Sequence, residues 1–268
     1  MTSGSYQFET LDNSEFQTQR LLQQAQAVRG LEAGILRNAG IQPTHDVLEV
    51  GSGPGFVTDL LAELAPKGSV HALEPSPMLA AQIERNVTHK PAQGLFVHQG
   101  YGNAIPLTDQ SVDFSYTRFV LQHVPHPQTV LAEVFRVTRE GGRFCAVDSD
   151  DGLVMFHPEE SRVSNLLAGA QAAQASQGGD RFIGRKLPSL MLEAGFVNVR
   201  TRVLTLTSSE LPFPVLFNIL LGYKASLLGD AVDTRALFED LSADVTAGRR
   251  LVVAGVFVVT GEREQAHS

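Results

Sequence analysis

The feature that most constrains the fold is a glycine cluster inside DVLEVGSGPGFVTDLLAEL, which runs from Asp46 to Leu64. Gly51, Gly53 and Gly55 occupy every second position after the β-like run VLEV, and a helical pattern follows them. In a strand–glycine–helix unit, backbone N–H groups and the helix N-terminus point toward a ligand at the carboxyl end of the strand. The stretch therefore predicts a unit that binds a nucleotide-like or phosphorylated molecule.

Strand and helix patterns alternate after this point. The predicted strands up to residue 150 are 47–50, 69–74, 95–100, 112–117 and 142–148, and the predicted helices are 54–64, 77–86 and 127–138. Alternation at such short spacing is typical of right-handed β–α–β crossovers, which place parallel strands side by side. The sequence therefore predicts an α/β fold with a mostly parallel sheet.

Charge and hydrophobicity limit the partners of the chain. Its 268 residues are 43% hydrophobic and carry a formal net charge of −8, with no basic run to offset it. Such a charge repels nucleic-acid phosphates and anionic lipids. No apolar run reaches the roughly 18 residues needed to span a bilayer, and the N-terminus lacks the pattern of a secretory signal. We therefore expect a cytoplasmic protein that binds neither nucleic acid nor membranes.

The glycine spacing separates this chain from two common nucleotide-binding motifs. A dinucleotide fingerprint requires Gly or Ala three residues after its second glycine, where the helix packs closely on the strand. Gly51 and Gly53 fill the first two places, but Phe56 fills the third. A Walker phosphate loop requires Gly-Lys-Ser/Thr, which does not follow here. The pattern therefore argues against a nicotinamide, flavin or P-loop site.

What remains is an acidic residue, Glu49, followed by a Gly-x-Gly-x-Gly motif. Downstream stand HALEPSPMLAAQ and then YGNAIPLTDQSVDFSYTRFVLQHVPHPQTVLAEVFRVTREGGRF. In these stretches, over roughly 100 residues, the chain resembles the class I S-adenosylmethionine-dependent methyltransferases. The resemblance implies S-adenosylmethionine as the cofactor. It also implies a Rossmann-like, doubly wound fold: a mostly parallel seven-stranded sheet with an antiparallel last strand, together with helical lid insertions.

The resemblance also implies which residues bind the cofactor. Glu74 would accept hydrogen bonds from the ribose hydroxyls, Glu49 would meet the α-ammonium, and Met78 would pack on the adenine. Tyr101 stands where family members commonly have an Asp that accepts from the adenine amino group. The predicted cofactor-binding residues are Glu49, Gly51, Ser52, Gly53, Gly55, Glu74, Pro75, Met78, Tyr101, Gly102, Asn103, Arg118 and Phe119.

Two residues are candidates for a catalytic role. Methyl transfer mainly requires alignment of the reactants, and a general base is needed only when the acceptor must lose a proton. His123 stands where many related enzymes place a histidine near the methyl group, although it could simply order its loop. Asp148 ends the fifth predicted strand and is expected to face the acceptor site as a base or acceptor-binding group, although an acidic residue there could equally serve a turn or a cap. No histidine spacing or calcium-loop pattern predicts a metal site.

The chain divides into five predicted parts. They are an N-terminal helical cap at 1–40, a cofactor-binding Rossmann-like core at 41–151, the remainder of the core with a helical insertion at 152–205, an apolar helical segment at 206–250, and the final strand and tail at 251–268. The apolar segment is predicted to be a lid over the acceptor. It could also be a homodimer contact or a packed subdomain without substrate contact.

The leading functional hypothesis is transfer of a methyl group to an O, N or C atom of a small, largely apolar, natural-product-like acceptor. One alternative keeps the fold and cofactor but catalyses a cyclisation or rearrangement without methylation. Another is a catalytically inactive sensor or accessory protein that still binds the cofactor. The intact motif from Glu49 to Gly55 argues against lost binding, and it does not bear on lost catalysis.

Overall fold

The computed structural model describes residues 14–228 and 233–265. The helices are α1 (Ser14–Ala39), α2 (Phe56–Leu64), α3 (Pro77–Asn86), α4 (Pro127–Val137), α5 (Ser161–Ala175), α6 (Leu187–Glu193), α7 (Phe213–Phe217), α8 (Tyr223–Leu228) and α9 (Thr234–Thr246). The strands are β1 (Val47–Val50), β2 (Val70–Glu74), β3 (Leu95–Gln99), β4 (Val112–Arg118), β5 (Thr138–Ser149), β6 (Met155–His157), β7 (Val197–Thr207) and β8 (Leu251–Glu262). Short 3₁₀ turns occupy Leu121–His123, Asp151–Leu153 and Gly184–Lys186, and a π-helical turn occupies Asn218–Gly222.

Parts of three predicted segments fall outside this description. Residues 1–13 of the predicted cap, 229–232 of the predicted lid and 266–268 of the predicted tail are not among the described residues. Across the described ranges, no helix is long and apolar enough to cross a membrane.

All strands belong to one sheet. Its order is β3-β2-β1-β4-β5-β8, with β7 paired to the far side of β8. The strands from β1 to β5 pair in parallel, whereas β8 pairs antiparallel with β5 and β7. These pairings confirm the predicted α/β, Rossmann-like class with an antiparallel last strand.

The sheet has eight strands, whereas seven were expected. The additional strand is β6, whose three residues pair with Leu251–Val253 at the start of β8. It continues along β8 beyond the residues that pair with β5. A three-residue strand is too short to show a detectable period of two, so its sequence gives no strand signal.

Helices cover both faces of the parallel strands. Every residue of β1 is buried, as expected for a parallel strand covered on both faces. Val47 packs with Leu36 and Leu61 on the side of α1 and α2. Its neighbour Leu48 packs with Val134 of α4 on the opposite side. The alternation of side chains along the strand thus produces two hydrophobic cores, one on each face.

A third core lies among the helices of the C-terminal half. Phe213 and Phe217 of α7 pack against Phe238 of α9, with ring centroids 5.8 and 5.1 Å from that ring. Leu166 of α5 and Val252 of β8 belong to the same cluster. The apolar residues of 206–250 are therefore partly used to pack the helices of this half against one another.

The helix α1 connects the parallel core with this helical half. Arg29 forms ion pairs with Asp59 (3.1 Å) and Glu63 (2.6 Å) of α2. Five residues earlier on the same helix, Gln24 Nε2 donates to the carbonyl of Asn218 at 3.1 Å. Because α1 contacts both halves, it holds the π-helical turn beside the sheet.

Candidate active site

A cavity of about 480 Å³ lies where the parallel strands end. Its wall includes residues that directly follow β1, β2, β3, β4 and β5. Ligand pockets in proteins commonly have volumes of roughly 300–1,000 Å³, and open α/β sheets bind ligands at the carboxyl ends of their strands. The reversal of strand order between β1 and β4 is the expected place for such a site.

Three left-handed glycines shape the loop after β1. The φ angles of Gly51, Gly53 and Gly55 are 76°, 55° and 91°. A Cβ on Gly51 would lie 2.4 Å from Val120 Cγ2, and one on Gly55 would lie 3.0 Å from the Cα of Ile83. A Cβ on Gly53 would meet nothing within 4 Å. Gly51 and Gly55 are therefore required for packing, whereas Gly53 presents bare backbone to open space beside the cavity.

Glu74 lies at the end of β2 and is tied to this loop. Its Oε2 accepts a hydrogen bond from the Gly53 N–H at 2.8 Å, and its Oε1 accepts from the Ser76 N–H at 2.9 Å. The side chain is buried, and it lines the cavity. A carboxylate accepts about four hydrogen bonds, so Glu74 has the chemistry to meet two adjacent hydroxyls of a ribose.

Glu49 is a second buried carboxyl group in the cavity wall. Its Oε2 accepts from Thr58 Oγ1 at 2.6 Å. Burial raises the pKa of Glu49 to about 8, the Thr58 hydrogen bond opposes this, and the nearby Glu32 adds to it. A cationic group of a ligand placed here would favour the ionised carboxylate. The position therefore suits an ammonium group.

The end of β4 contributes Arg118 and Phe119 to the wall. Phe119 has a φ of 55°, in the left-handed region that non-glycine residues rarely adopt, and its N–H donates to the Val147 carbonyl at 2.8 Å. Such strained positions concentrate at functional sites. Arg118 Nε lies 3.2 Å from Glu32 Oε2, and its guanidinium lies 4.9 Å from the centre of the Phe119 ring.

The predicted cofactor-binding residues divide into those that line the cavity and those that do not. The predicted residues that line the cavity are Glu49, Gly51, Ser52, Gly53, Glu74, Pro75, Tyr101, Gly102, Arg118 and Phe119. Gly55, Met78 and Asn103 are not among the lining residues. Gly55 instead caps α2, and the Met78 side chain is 40% exposed on the first turn of α3. Tyr101 is 44% exposed at the rim.

His123, predicted to be catalytic, lines the cavity in a neutral form. Burial lowers its pKa to about 3, and the positive charges of Arg181 and Arg20 act in the same direction. Its Nδ1 lies 3.3 Å from Gln174 Nε2, and its ring meets Tyr223 edge-on with centroids 5.1 Å apart. Because the amide N–H₂ of Gln174 donates to Nδ1, the imidazole proton is on Nε2. His123 is thus a hydrogen-bond donor and a poor base at neutral pH.

Asp148, the other predicted catalytic residue, is not part of the cavity wall. It is fully buried; its Oδ2 accepts from the Gln122 N–H at 3.2 Å, and its Oδ1 accepts from the Ser149 N–H at 2.9 Å. Burial raises its pKa to about 7. The side chain therefore holds the 3₁₀ turn that contains His123, while its neighbour Ser149 faces the cavity. This placement corrects the expectation that Asp148 faces the acceptor.

The wall also contains a buried ionic cluster that no sequence pattern predicts. Asp151 accepts from Arg181 Nε at 3.1 Å and from Nη2 at 2.9 Å, and it lies 3.1 Å from Lys224 Nζ. Arg181 also donates to Gln122 Oε1. Arg20 of α1 completes the basic side of the wall. In the sequence, Lys224 stands out only as a lone cation inside the apolar run LLGYKASLL. Its place in the site follows only from its contact with Asp151, far away in the chain.

A π-helical turn delivers part of this wall. Asn218–Gly222 joins α7 to α8, and it precedes the cavity residues Tyr223 and Lys224. Single π-helical turns inserted into helices occur frequently at functional sites. No cluster of three or more metal-ligating side chains occurs within 14–228 and 233–265.

The residues present fit a nucleoside cofactor with an amino-acid part. Gly53 leaves space that a Cβ would fill, Glu74 offers acceptors at the end of β2, and Glu49 suits an ammonium group. Glu49 and Glu74 lie on neighbouring strands, so their carboxyl groups can meet two parts of one ligand. One part would bear hydroxyl groups and the other an ammonium group. Binding of such a molecule would use backbone approach, hydrogen bonding and charge together.

Comparison with known proteins agrees with this geometry. Residues 48–146 match the family model of the methyltransferase domain. An uncharacterised 37.1 kDa protein of a Streptomyces fradiae transposon is 34% identical over 172 residues, covering 63% of this chain and 48% of that protein. An uncharacterised methyltransferase of Schizosaccharomyces pombe is 29% identical over 163 residues, covering 59% and 58%. The chain thus spans about half the length of the curated relatives it matches.

Solved structures share the fold. A Bacillus halodurans protein assigned as a methyltransferase has a TM-score of 0.57 at 16% identity, covering 87% of this chain and 98% of that one. A geranyl diphosphate methyltransferase bound to S-adenosylmethionine has a TM-score of 0.53 at 17% identity, covering 87% and 84%. At these identities the likeness concerns the fold. Residues 48–146 of the chain thus form a methyltransferase domain, on a fold shared with S-adenosylmethionine-dependent methyltransferases, whose cofactor is S-adenosylmethionine.

Proposed function

We propose that this chain transfers a methyl group from S-adenosylmethionine to an oxygen, nitrogen or carbon atom of a small organic acceptor. The observation that carries the proposal is that one cavity is lined both by the glycine loop and by a second wall of mixed apolar and polar residues. Joining two reactants requires both in one enclosed space, aligned by the protein. A protein that only bound the cofactor would need the first wall alone.

The two walls come from different parts of the sheet. The loops after β1, β2 and β3 form the cofactor wall, which contains the glycine loop and Glu74. The acceptor wall is formed by α1, the turn at Leu121–His123, the loops after β5 and before α6, the end of β7, the π-helical turn, α8 and β8. Since β4 lies between β1 and β5, the residues after β4 separate the two walls. The methyl group would therefore be transferred near Phe119.

The acceptor wall is largely apolar. Its apolar side chains are Leu21, Ala25, Val124, Val154, Leu206, Ile219, Leu220, Ala254 and Val256. Apolar surface contributes about 25 cal/mol to binding for each Å² that is removed from water. We therefore infer an acceptor with a substantial apolar body, such as a natural-product intermediate.

The chain's own contribution to the reaction is alignment. The bound cofactor supplies a methyl group on a sulfonium, which is already activated for displacement. The cavity wall holds the acceptor atom in line with it and excludes water. His123 lines the acceptor wall in its neutral form, so it is a polar group beside the acceptor and a poor general base at neutral pH. Asp148 contributes only indirectly, because its carboxylate fixes the 3₁₀ turn that contains His123.

Calorimetry with S-adenosylmethionine tests the cofactor site. We expect the wild type to bind and Glu74→Ala to bind at least tenfold more weakly, because two charge-assisted hydrogen bonds are lost. Glu84→Ala is the matched control, since Glu84 is exposed on the outer part of α3, and it should bind as the wild type does. Equal affinity of wild type and Glu74→Ala would contradict the ribose assignment.

Product analysis tests the reaction itself. The protein is incubated with S-adenosylmethionine and a panel of small phenols, amines and carboxylic acids, and S-adenosylhomocysteine is measured with the products by mass spectrometry. Methyl transfer requires S-adenosylhomocysteine in equal amounts with a product that has gained one methyl group. A product formed without S-adenosylhomocysteine would instead support a rearrangement by the same fold.

A further inference from the structure

A basic cluster lies in the acceptor wall. Lys224 of α8 and Arg181, in the loop before α6, both line the cavity, and both are paired with the single carboxylate of Asp151. We propose that the methyl acceptor carries one carboxylate group, which the ammonium of Lys224 binds directly while Arg181 supplies a second positive charge. The proposal rests on the proposed function and names the chemical class of its acceptor.

The charges of this cluster do not cancel. Lys224, Arg181 and Asp151 are only 3%, 6% and 6% exposed, so two buried cations share one buried anion. Asp150 also lines the cavity, but Arg185 already pairs with it, at 2.6 Å from Nε and 2.5 Å from Nη2. Buried charge is costly unless it is matched by an opposite charge. One added monoanion would balance the charges of these three side chains.

The ammonium of Lys224 has a donor for this group. Its Nζ donates to the Leu220 carbonyl at 2.7 Å and lies 3.1 Å from Asp151 Oδ1. An ammonium has three N–H donors, and within residues 14–228 and 233–265 these two are its hydrogen-bonding partners. Burial lowers the pKa of Lys224 to about 8, so it is mostly charged at pH 7. The third donor is available to a ligand in the cavity.

The guanidinium of Arg181 is already engaged along its edges. Nε and Nη2 bind Asp151, and Nη1 donates to Gln122 Oε1. Two parallel guanidinium bonds are the usual means of recognising a phosphate, and this arrangement does not offer them. A single ammonium donor beside a guanidinium whose edges are already engaged fits a carboxylate better than a phosphate.

Apolar groups share the cavity wall with the cluster. Tyr223, next to Lys224 in the chain, packs edge-on against His123 at a centroid distance of 5.1 Å. Ile219 and Leu206 line the same wall. An acceptor that satisfies both features has an acidic group at one end and an apolar body, with the methylated atom elsewhere in the molecule. The acceptor class that fits this wall is therefore an amphiphilic carboxylic acid.

Binding of model ligands tests this without knowledge of the natural acceptor. Octanoate and octanamide have the same carbon chain and differ in charge. Each is titrated by calorimetry into wild-type protein saturated with S-adenosylhomocysteine at pH 7. We expect octanoate to bind at least tenfold more tightly than octanamide. Equal affinity of the two, or binding of neither, would overturn the proposal.

Variants assign the effect to Lys224. Lys224→Met should abolish the preference for octanoate, and Lys224→Arg should keep most of it. The Met variant leaves Asp151 paired with Arg181, so no unpaired anion remains buried. Lys67→Met is the control, because Lys67 is exposed in the loop between α2 and β2, and it should preserve the preference. An unchanged preference in Lys224→Met would refute the role of this residue.

Binding of S-adenosylhomocysteine is measured separately for every variant. It should stay within about twofold of wild type in Lys224→Met, a fold-change that corresponds to about 0.4 kcal/mol. Wild-type protein that fails to bind S-adenosylhomocysteine would contradict the proposed function itself. Normal cofactor binding without a carboxylate preference would leave the proposed function standing and remove only the inference about the acceptor.

Discussion

The Gly53 N–H donates a hydrogen bond to Glu74 Oε2 across 2.8 Å, so the loop after β1 is tied to the end of β2. Parallel pairing of β1 with β2, which places Val50 opposite Leu73, brings these two residues to the same edge of the sheet. One bond thereby sets the position of the backbone and of the carboxylate that we propose to contact the cofactor. The cofactor site depends on this loop conformation.

Gly53→Ala should reduce cofactor binding more than it reduces stability. The new methyl group meets no protein atom within 4 Å, but it projects beside the cavity, and the φ of 55° is unfavourable for Ala by about 1 kcal/mol. We expect at least a tenfold loss of affinity for S-adenosylhomocysteine and a drop of roughly 1 kcal/mol in the free energy of unfolding.

Two other glycine variants calibrate this result. Gly51→Ala places its Cβ 2.4 Å from Val120 and should destabilise the fold by more than Gly53→Ala does. Gly30→Ala lies in α1 with nothing within 4 Å, and it should raise stability by up to about 1 kcal/mol. Unaltered cofactor affinity in Gly53→Ala would show that the ligand does not approach this backbone.

Cofactor binding should release a proton from Glu49. In the absence of ligand its pKa is about 8, so most of the carboxyl is protonated at pH 7. The α-ammonium of the bound cofactor would favour the ionised form. Titration of S-adenosylhomocysteine in buffers of different ionisation enthalpy should therefore show release approaching one proton per site at pH 7. Glu49→Gln should show none, and equal release in both proteins would contradict the assignment.

The same residue predicts how stability depends on pH without ligand. The pKa of Glu49 is raised in the folded protein above its unfolded value, so between about pH 4.5 and 8 the folded state binds the extra proton. The free energy of unfolding should consequently fall as pH rises through this range. Glu49→Gln should flatten that slope in urea titrations at several pH values. Asp148, whose pKa is also raised by burial, should account for part of the slope that remains.

Local sequence predicted the fold and most of the residues that line the glycine-loop side of the cavity, because their signals are local. The strand–glycine–helix order places Gly53 and Glu74 at the ends of neighbouring strands in any parallel sheet. The acceptor wall depends on contacts between distant residues, such as Asp151 with Lys224. Neither residue lies in a recognisable pattern, so their meeting could not be inferred from the chain. Asp148 shows the opposite error, since a position at a strand end does not specify which way its side chain faces.

Asp148 should contribute to stability through its hydrogen bond to the 3₁₀ turn Leu121–His123. Asp148→Ala removes the acceptor of the buried Gln122 N–H, and an unsatisfied buried donor costs about 1–3 kcal/mol. Asp148→Asn keeps an acceptor oxygen and should lose less. Thermal unfolding and S-adenosylhomocysteine binding of both variants test this. If Ala and Asn were equally stable, the hydrogen bond would have no such role.

His123 should stay neutral across the physiological range. Its pKa is lowered to about 3 by burial and by the charges of Arg181 and Arg20, whereas an ordinary histidine titrates near pH 6.5. The ¹⁵N and ¹H NMR signals of its imidazole, assigned by their loss in His123→Gln, should therefore not shift between pH 5 and pH 8. The ¹⁵N shifts should also identify the proton on Nε2, since Nδ1 accepts from Gln174. A titration near pH 6.5 would instead restore His123 as a candidate general base.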